Sequence, residues 1–469
     1  MPTSNGRPLR AFPDIYVILF GIIVLLAAST WVIPAGAYER SVLDNGREVV
    51  VAGSYHGIEQ TPVGVMDVVT AIPKGLSEAS SVVFLTLLVG GSVGVLRRAG
   101  VIDIGIERLV AATKSRAELV IPVLMGVFAA VAAFIGTPEL SIAYLPIVLP
   151  LMIRLGYDSV VATAVALLST SLGFAFGISS PSTIGVGHLV AELPMYSGAG
   201  FRGVSFVAVQ LAAILFVMRY ARRVKASPEL ALNREEDTAL RTRLAQEVSS
   251  RKSFNASQQR AAVLTLVLFV GIVAAVLIAG LGLDELSGLF VAMAVIVSLV
   301  AGDRANKICS NFNESLKEML VGALIVGVAR GASVVMAEGN ILDTLVFHLA
   351  AAVGSLPSEL TAVGILVTQS LFNFLVPSGS GQCLLTLPVL VPLGDLVGLT
   401  RQVVVLATHW GDGITNVVFP TSGYFMATLA ISHVSLKTWL EFYLPLFWAV
   451  LFLAVSGLVI AQAIALGPF

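Results

Sequence analysis

Apolar stretches long enough to cross a bilayer recur along the whole chain, and two of the longest apolar regions are broken by clusters of Pro, Gly and Ser. A spanning helix needs about 20 apolar residues to cross a hydrocarbon core of about 30 Å. Seven stretches are read as spans: 13–35, 80–98, 203–219, 261–283, 287–302, 320–337 and 438–465. Two longer regions, 118–195 and 359–430, are apolar but interrupted. Amphipathic stretches at 101–114 and 340–353 are too short to span and read as interfacial arms. Only 12% of the 469 residues are charged, against about 25% in an average soluble domain. That deficit fits an outer surface that faces lipid, so one polytopic membrane domain is expected. The basic N-terminus runs into about 20 apolar residues without a small-residue cleavage site, which predicts a first span and not a removed signal peptide.

Composition also excludes partners. A net charge of -1 gives no reason to expect nucleic acid. Cys309 and Cys383 are far apart, with neither disulfide nor redox spacing. His, Cys, Asp and Glu show no metal-ligand spacing, and no GxxxxGK[ST] stretch offers nucleotide energy, so no cofactor is expected and an ion gradient, Na⁺ or H⁺, is left to drive the protein.

The positive-inside rule orders the spans. With Arg7 and Arg10 in the cytoplasm, span 80–98 ends inside at Arg97 and Arg98. Segment 118–154 is basic at both ends, Arg116 and Arg154, which a single crossing cannot satisfy. It is therefore read as a re-entrant hairpin entered from the cytoplasm, its tip near Gly136-Thr137-Pro138-Glu139. Residues 338–395 hold no Lys or Arg, which suits a second hairpin, 359–398, entered from outside. Regions 158–195 and 401–430 become broken spans, 220–260 a cytoplasmic linker, and the C-terminus periplasmic. Of 28 Lys and Arg, this places Arg40, Arg47, Lys74, Arg202 and Arg401 outside and Arg330 within a span, with the rest inside. An internal match agrees: Leu145-Pro146-Ile147-Val148-Leu149-Pro150-Leu151 aligns with Leu387-Pro388-Val389-Leu390-Val391-Pro392-Leu393 at the offset that also relates Gly156 to Gly398. The fold class expected is an all-α polytopic protein of two inverted repeats, each with a re-entrant hairpin and a discontinuous transmembrane helix, the pattern of secondary transporters.

Four breaks carry the chemistry, because unpaired backbone is tolerated at membrane depth only inside protein or beside water. They are the first tip (Thr137, Glu139, Ser141), the first broken span (Ser180, Ser182, Thr183), the second tip (Ser378, Gly379, Ser380, Gln382, with Asn373 before it) and the second broken span (Asp412, Thr415, Asn416, Thr421, Ser422). Helix N-termini offer amide donors to a carboxylate; freed carbonyls and hydroxyls suit a small cation. The alternative is that small residues merely allow close helix packing. Arg330, the one basic residue inside a span, is a candidate anchor for a substrate carboxylate, or a structural ion pair with Glu139, Asp412 or Glu338. Glu139, Ser141, Asp412 and Thr415 are the candidate ion-coupling residues, and the remaining residues of the four breaks, with Glu139 again and Arg330, are candidate substrate ligands. His409 beside Trp410 is as readily packing as ligand.

FNFLVPSGSGQ at 372–382, LPVLVPLGDLVGLTRQ after it, GDGITN at 411–416 and PTSG at 420–423 resemble the DcuC-like family of four-carbon dicarboxylate carriers, in its YfcC-type branch, often called basic amino-acid carriers. The VARG around Arg330 and the start ILFGIIVLLAASTWVIPAGAYER resemble the same branch. The resemblance implies the ion transporter superfamily: a homodimer with a scaffold and a sliding transport domain, moving small carboxylate-bearing solutes across the bacterial inner membrane in an elevator motion. It divides the chain into scaffold at 1–79, 203–219 and 431–469, transport elements at 80–202 and 320–430, and linking spans at 261–319. The first repeat departs from the family, with Leu140 after Glu139 where paired acids are usual and Ser180 before Pro181 where Asn is usual. Two rival classes remain: a passive anion channel, which opposed hairpins would obstruct, and an intramembrane serine hydrolase built on Ser378 or Ser380 with His409.

Overall fold

The computed structural model describes residues 14–42, 48–112, 117–249, 255–279 and 281–467. The charges at Arg7, Arg10, Arg47, Lys114, Arg116, Arg251 and Lys252, used above to orient the chain, lie outside the described residues.

In the first half, α1 (Ile15–Ser29) leads to strands β1 (Gly36–Ala37), β2 (Arg40–Val42), β3 (Glu48–Val50) and β4 (His56–Gly57). Helices α2 (Val65–Glu78), α3 (Ser80–Arg98) and α4 (Val101–Ala112) follow, then the pair α5 (Val120–Ile135) and α6 (Leu140–Arg154). An interrupted helix comes next, α7 (Ser159–Ala175) and, after a turn of π-helix at Pro181–Gly185, α8 (Val186–Val190); α9 (Ala199–Ala226) ends the half. The linker holds α10 (Arg234–Ser249). The second half has α11 (Ala256–Ala279), α12 (Leu283–Ala301), α13 (Ala305–Glu338), α14 (Leu342–Gly354), the pair α15 (Ser358–Leu375) and α16 (Gly379–Leu396), the interrupted α17 (Arg401–Thr415) and α18 (Gly423–Ser432), and α19 (Leu436–Ala463).

Six of these helices, α3, α9, α11, α12, α13 and α19, are long and apolar enough to cross a membrane. The span expected at 13–35 is shorter, since α1 has 15 residues and ends at Ser29. The protein is predominantly helical, yet the all-α expectation needs correction in the segment between α1 and α2. There β2 pairs with β3 and β1 with β4, both antiparallel. The β-branched run at Val49 and Val50 explains this: Val50 is buried in a small cluster with Tyr38, Val346, Phe372 and Val376, so the strands gain a hydrophobic face. Arg40 and the backbone amide of Tyr38 both bind the carboxylate of Asp343 on α14, tying the loop to that arm. Burial beside Asp343 pushes the Tyr38 phenol up to about 12.

Packing puts the functional elements side by side. Each helical pair lies on its interrupted helix, α5 and α6 on α7, α15 and α16 on α17, and α7 touches α17 directly. Helix α9 flanks α5 and α7, while α19 flanks α15 and α17. Helices α1, α2 and α3 gather around α13, with α12 on α3, and α13 meets the other group through α18. The chain is already helical from Val65, ahead of the span expected at 80–98, so α2 and α3 run on with one break, at Ala79.

The linker is anchored at the start of α7. Asn233 donates to the Ser159 hydroxyl at 2.9 Å and to the carbonyl of His433 at 3.0 Å. Asp237 accepts the Ser159 amide at 3.1 Å, and Arg241 donates to the carbonyl of Tyr157.

Candidate functional site

Each break has a local cause. Gly136 ends α5 in the left-handed region, φ 78°, which glycine adopts without steric cost. Pro138 then fits the turn that starts α6. At the second tip, Pro377 lies between α15 and α16, where a missing amide costs no helical bond. In the first broken span Pro181 restarts the helix, and in the second Pro420 falls between α17 and α18.

All four breaks open onto one cavity of about 360 Å³. The first tip contributes Gly136, Thr137, Pro138 and Glu139, and the first broken span Phe174 and Ser182. Pro377, Ser378, Gly379 and Ser380 come from the second tip, and Asn416, Thr421, Ser422, Gly423 and Tyr424 from the second broken span. Helices α6, α16 and α18 all begin at this cavity, which puts three positive dipole ends beside it; the first amides of α6 are taken up by the carbonyls of Thr137, Pro138 and Glu139. The remaining wall includes Glu78, Ala79, Val82, Val326 and Arg330, from α2, the start of α3 and α13.

Ten of the residues singled out from the sequence line this cavity: Thr137, Glu139, Ser182, Arg330, Ser378, Gly379, Ser380, Asn416, Thr421 and Ser422. The others stand behind them. Ser180 and Thr183 share a hydrogen bond at 2.8 Å. Asn373 donates to Thr415 at 2.9 Å and to Asn416 at 3.1 Å, joining the second hairpin to its broken span. Gln382 binds Gln369 within the hairpin, and Ser141 meets Thr428 at 2.9 Å. Asp412 is 1% exposed, and neither carboxylate oxygen has a hydrogen-bond partner among the described residues. It lies against the second tip, where a Cβ on Gly379 would come within 2.9 Å of its Oδ2. Unpartnered buried oxygens also occur on Thr137, Asn373 and Thr421.

Arg330 differs from expectation in its partner. Its Nε donates to Glu78 Oε2 at 2.9 Å, not to Glu139, Asp412 or Glu338. Glu338 pairs instead with Lys74. Eight residues separate Arg330 from the end of α13, which sets it about 12 Å along the helix from that terminus. Sequence reasoning missed Glu78 because its segment, with Pro73 and Lys74, resembles a polar loop. His409 is buried with its ring edge-on to Phe174 at 5.6 Å, and neither ring nitrogen is hydrogen-bonded to Ser378 or Ser380. The pairing a serine hydrolase requires is not formed in this geometry.

Comparison with known proteins agrees with the resemblance read from the motifs. YfcC of Escherichia coli, a proposed basic amino acid antiporter, is 31% identical, with 93% of this chain and 94% of that protein covered. A protein of uncharacterised role from Haemophilus influenzae is 26% identical, over 98% of this chain and 99% of its own. Among solved structures, the YdaH transporter of Alcanivorax borkumensis (TM-score 0.42, covering 97% of this chain and 100% of its own) and MtrF of Neisseria gonorrhoeae, titled as one of a class of antimetabolite efflux pumps (TM-score 0.44, 98% and 96%), each share 17% identity. The family model described as C4-dicarboxylate anaerobic carrier matches residues 12–463, so the chain belongs to the DcuC family of membrane transporters.

Proposed function

We propose that the protein is a secondary active transporter of small carboxylate-bearing solutes across the bacterial cytoplasmic membrane, coupled to Na⁺ or H⁺ or working by exchange. The observation that carries this is the meeting of four helix breaks at one cavity that also holds Arg330. Helix N-termini and a guanidinium suit a carboxylate. A buried carboxylate such as Asp412, with neither oxygen hydrogen-bonded, is compensated by a proton or a cation, the two currencies of gradient coupling. The cavity wall carries Glu78 and Glu139 against Arg330 alone. That balance supports a solute with an ammonium group as well as a carboxylate, an amino acid, over a dicarboxylate. The basic amino acid antiport proposed for YfcC points the same way.

The same reading takes the two halves as inverted repeats and the protein as a homodimer, its N-terminus cytoplasmic and C-terminus periplasmic, working by an elevator-like motion of the hairpin-bearing helices. Counterflow in proteoliposomes, with labelled L-arginine, L-lysine and succinate under imposed Na⁺ or pH gradients, tests the reading. Saturable counterflow is expected, and Arg330→Ala and Asp412→Asn are expected to abolish it while the protein stays folded. Flux that survives both substitutions removes those residues from the mechanism; non-saturable flux without counterflow makes the protein a channel.

A further inference from the structure

The breaks at the cavity leave backbone carbonyls outside any helix, and two of these, on Ile178 and Val417, are held by buried side chains that do not line the cavity. Arg202, on α9, is 0% exposed. Its Nε and Nη2 donate to the carbonyl of Ile178, in the first break, at 2.9 and 2.8 Å. Nη1 and Nη2 donate further to the carbonyls of Ser197 and Tyr196. Trp439, on α19, is also 0% exposed, and its Nε1 donates to the carbonyl of Val417, in the second break, at 2.9 Å. Each donor is the fourth residue of a helix of 28 residues that follows its broken span. The first break is gripped on its other side as well, where the amides of Ile178 and Ser179 donate to the carbonyl of Ala133 in α5.

We propose that Arg202 and Trp439 are matched positioning residues that pin the unwound segments of the two interrupted spans and so fix where Ser182, Asn416 and Thr421 stand at the cavity. Neither side chain lines the cavity, so each acts through the backbone it holds. A lysine at 202 would keep the charge but not the fork that reaches three carbonyls at once, and a phenylalanine at 439 would keep an aromatic ring while losing the donor and the pyrrole half of the indole.

The placement of the breaks is independent of the solute; the consequence for binding rests on the transporter reading above. Hydrogen–deuterium exchange on the purified full-length protein therefore decides first. Loss of one neutral buried hydrogen bond corresponds to roughly fivefold faster local exchange, and loss of a charged donor to tenfold or more. Trp439→Phe is expected to speed exchange at 417–422, and Arg202→Met at 178–183, with Arg202→Lys between Arg202→Met and wild type. Unchanged exchange at 417–422 in Trp439→Phe overturns the proposal, as does acceleration spread evenly over all helices, which would mark a general loss of stability. In proteoliposomes loaded with L-arginine, Trp439→Phe should raise KM severalfold with the maximal rate within about twofold, since one hydrogen bond is removed. Faster local exchange with an unchanged KM overturns the link to the solute. A wild-type protein that moves neither L-arginine nor succinate refutes the assigned function and leaves the exchange result standing.

Discussion

Replacing Gly75 with alanine should loosen the wall that carries Glu78 and Arg330. Gly75 lies where α2 crosses α13, and a Cβ there would collide with the carbonyl of Gly327 and stand 2.7 Å from the amide nitrogen of Gly331. Both are backbone atoms, so no side chain can rotate away and the helices must separate. Insertion of even a small group into a tight core costs about 1–3 kcal/mol. Alanine in place of glycine within a helix returns about 1 kcal/mol, so the expected net loss is about 0–2 kcal/mol in stability. The larger effect should be on function: Glu78 is one turn of helix beyond Gly75 and Arg330 is adjacent to Gly331, so any separation of α2 from α13 stretches their 2.9 Å contact. Thermal unfolding in detergent reads the first quantity and solute affinity by calorimetry the second. Gly21→Ala, in α1 with nothing within 4 Å of the added carbon, serves as a control for glycine replacement in a helix away from a close contact. Full stability together with wild-type affinity in Gly75→Ala would refute the claim that this crossing is closed by backbone contact.

Two further outcomes follow from charges. Glu78→Ala frees Arg330 and removes a negative charge from the cavity, so succinate affinity should rise and L-arginine affinity fall, each by about tenfold for one charge-assisted contact; binding measured by calorimetry that shifts both solutes in one direction contradicts the charge argument. Burial raises the Asp237 carboxyl above its ordinary value, against the opposing hydrogen bonds from Ser159 and the charge of Arg241, with Asp158 and Glu236 also nearby. The docked linker thus binds a proton more tightly than a released one: docking is strongest below the ordinary Asp value of about 4 and weakens as pH rises through the raised value. A spin label at Thr238→Cys should gain mobility with rising pH and lose that dependence when Asp237→Asn is added; mobility that grows on acidification would reverse the sign and refute it.

The sequence exposed the helix breaks because a membrane punishes unsatisfied backbone, which makes Pro377 and Pro420 in apolar surroundings hard to explain as anything but interruptions. Charge placement set off residues 118–154 as one unit, and the two helices α5 and α6 lie within that range. Other features depend on contacts between distant segments. Arg202 counted as an outer charge because its contact with the carbonyl of Ile178 exists only once α7 has broken off before that residue. The strands between α1 and α2 depend on an apolar surface offered by Phe372 and Val376, more than 300 residues further along. Glu78 needed the crossing at Gly75 before its position at the cavity could be seen.

The division of the cavity wall has a mechanical consequence. Glu78 and Arg330 belong to helices packed with α1 and α3, a grouping that differs from the division the resemblance implied, in which α3 and Arg330 fell among the transport elements; both tips and both broken spans pack on one another. Under the proposed sliding motion, the tips travel with the solute and the guanidinium stays with the helices that carry it. Arg330 then attracts the solute in one end state and cannot follow it to the other. A fixed charge that bound the carboxylate as tightly as the tips do would hold the solute back. Its pairing with Glu78 tempers that attraction: the guanidinium already gives its Nε to a carboxylate, so a solute competes for only part of its hydrogen-bonding capacity. On this argument the salt bridge weakens the capture of solute at the entrance so that release from it remains cheap, and a transporter needs both.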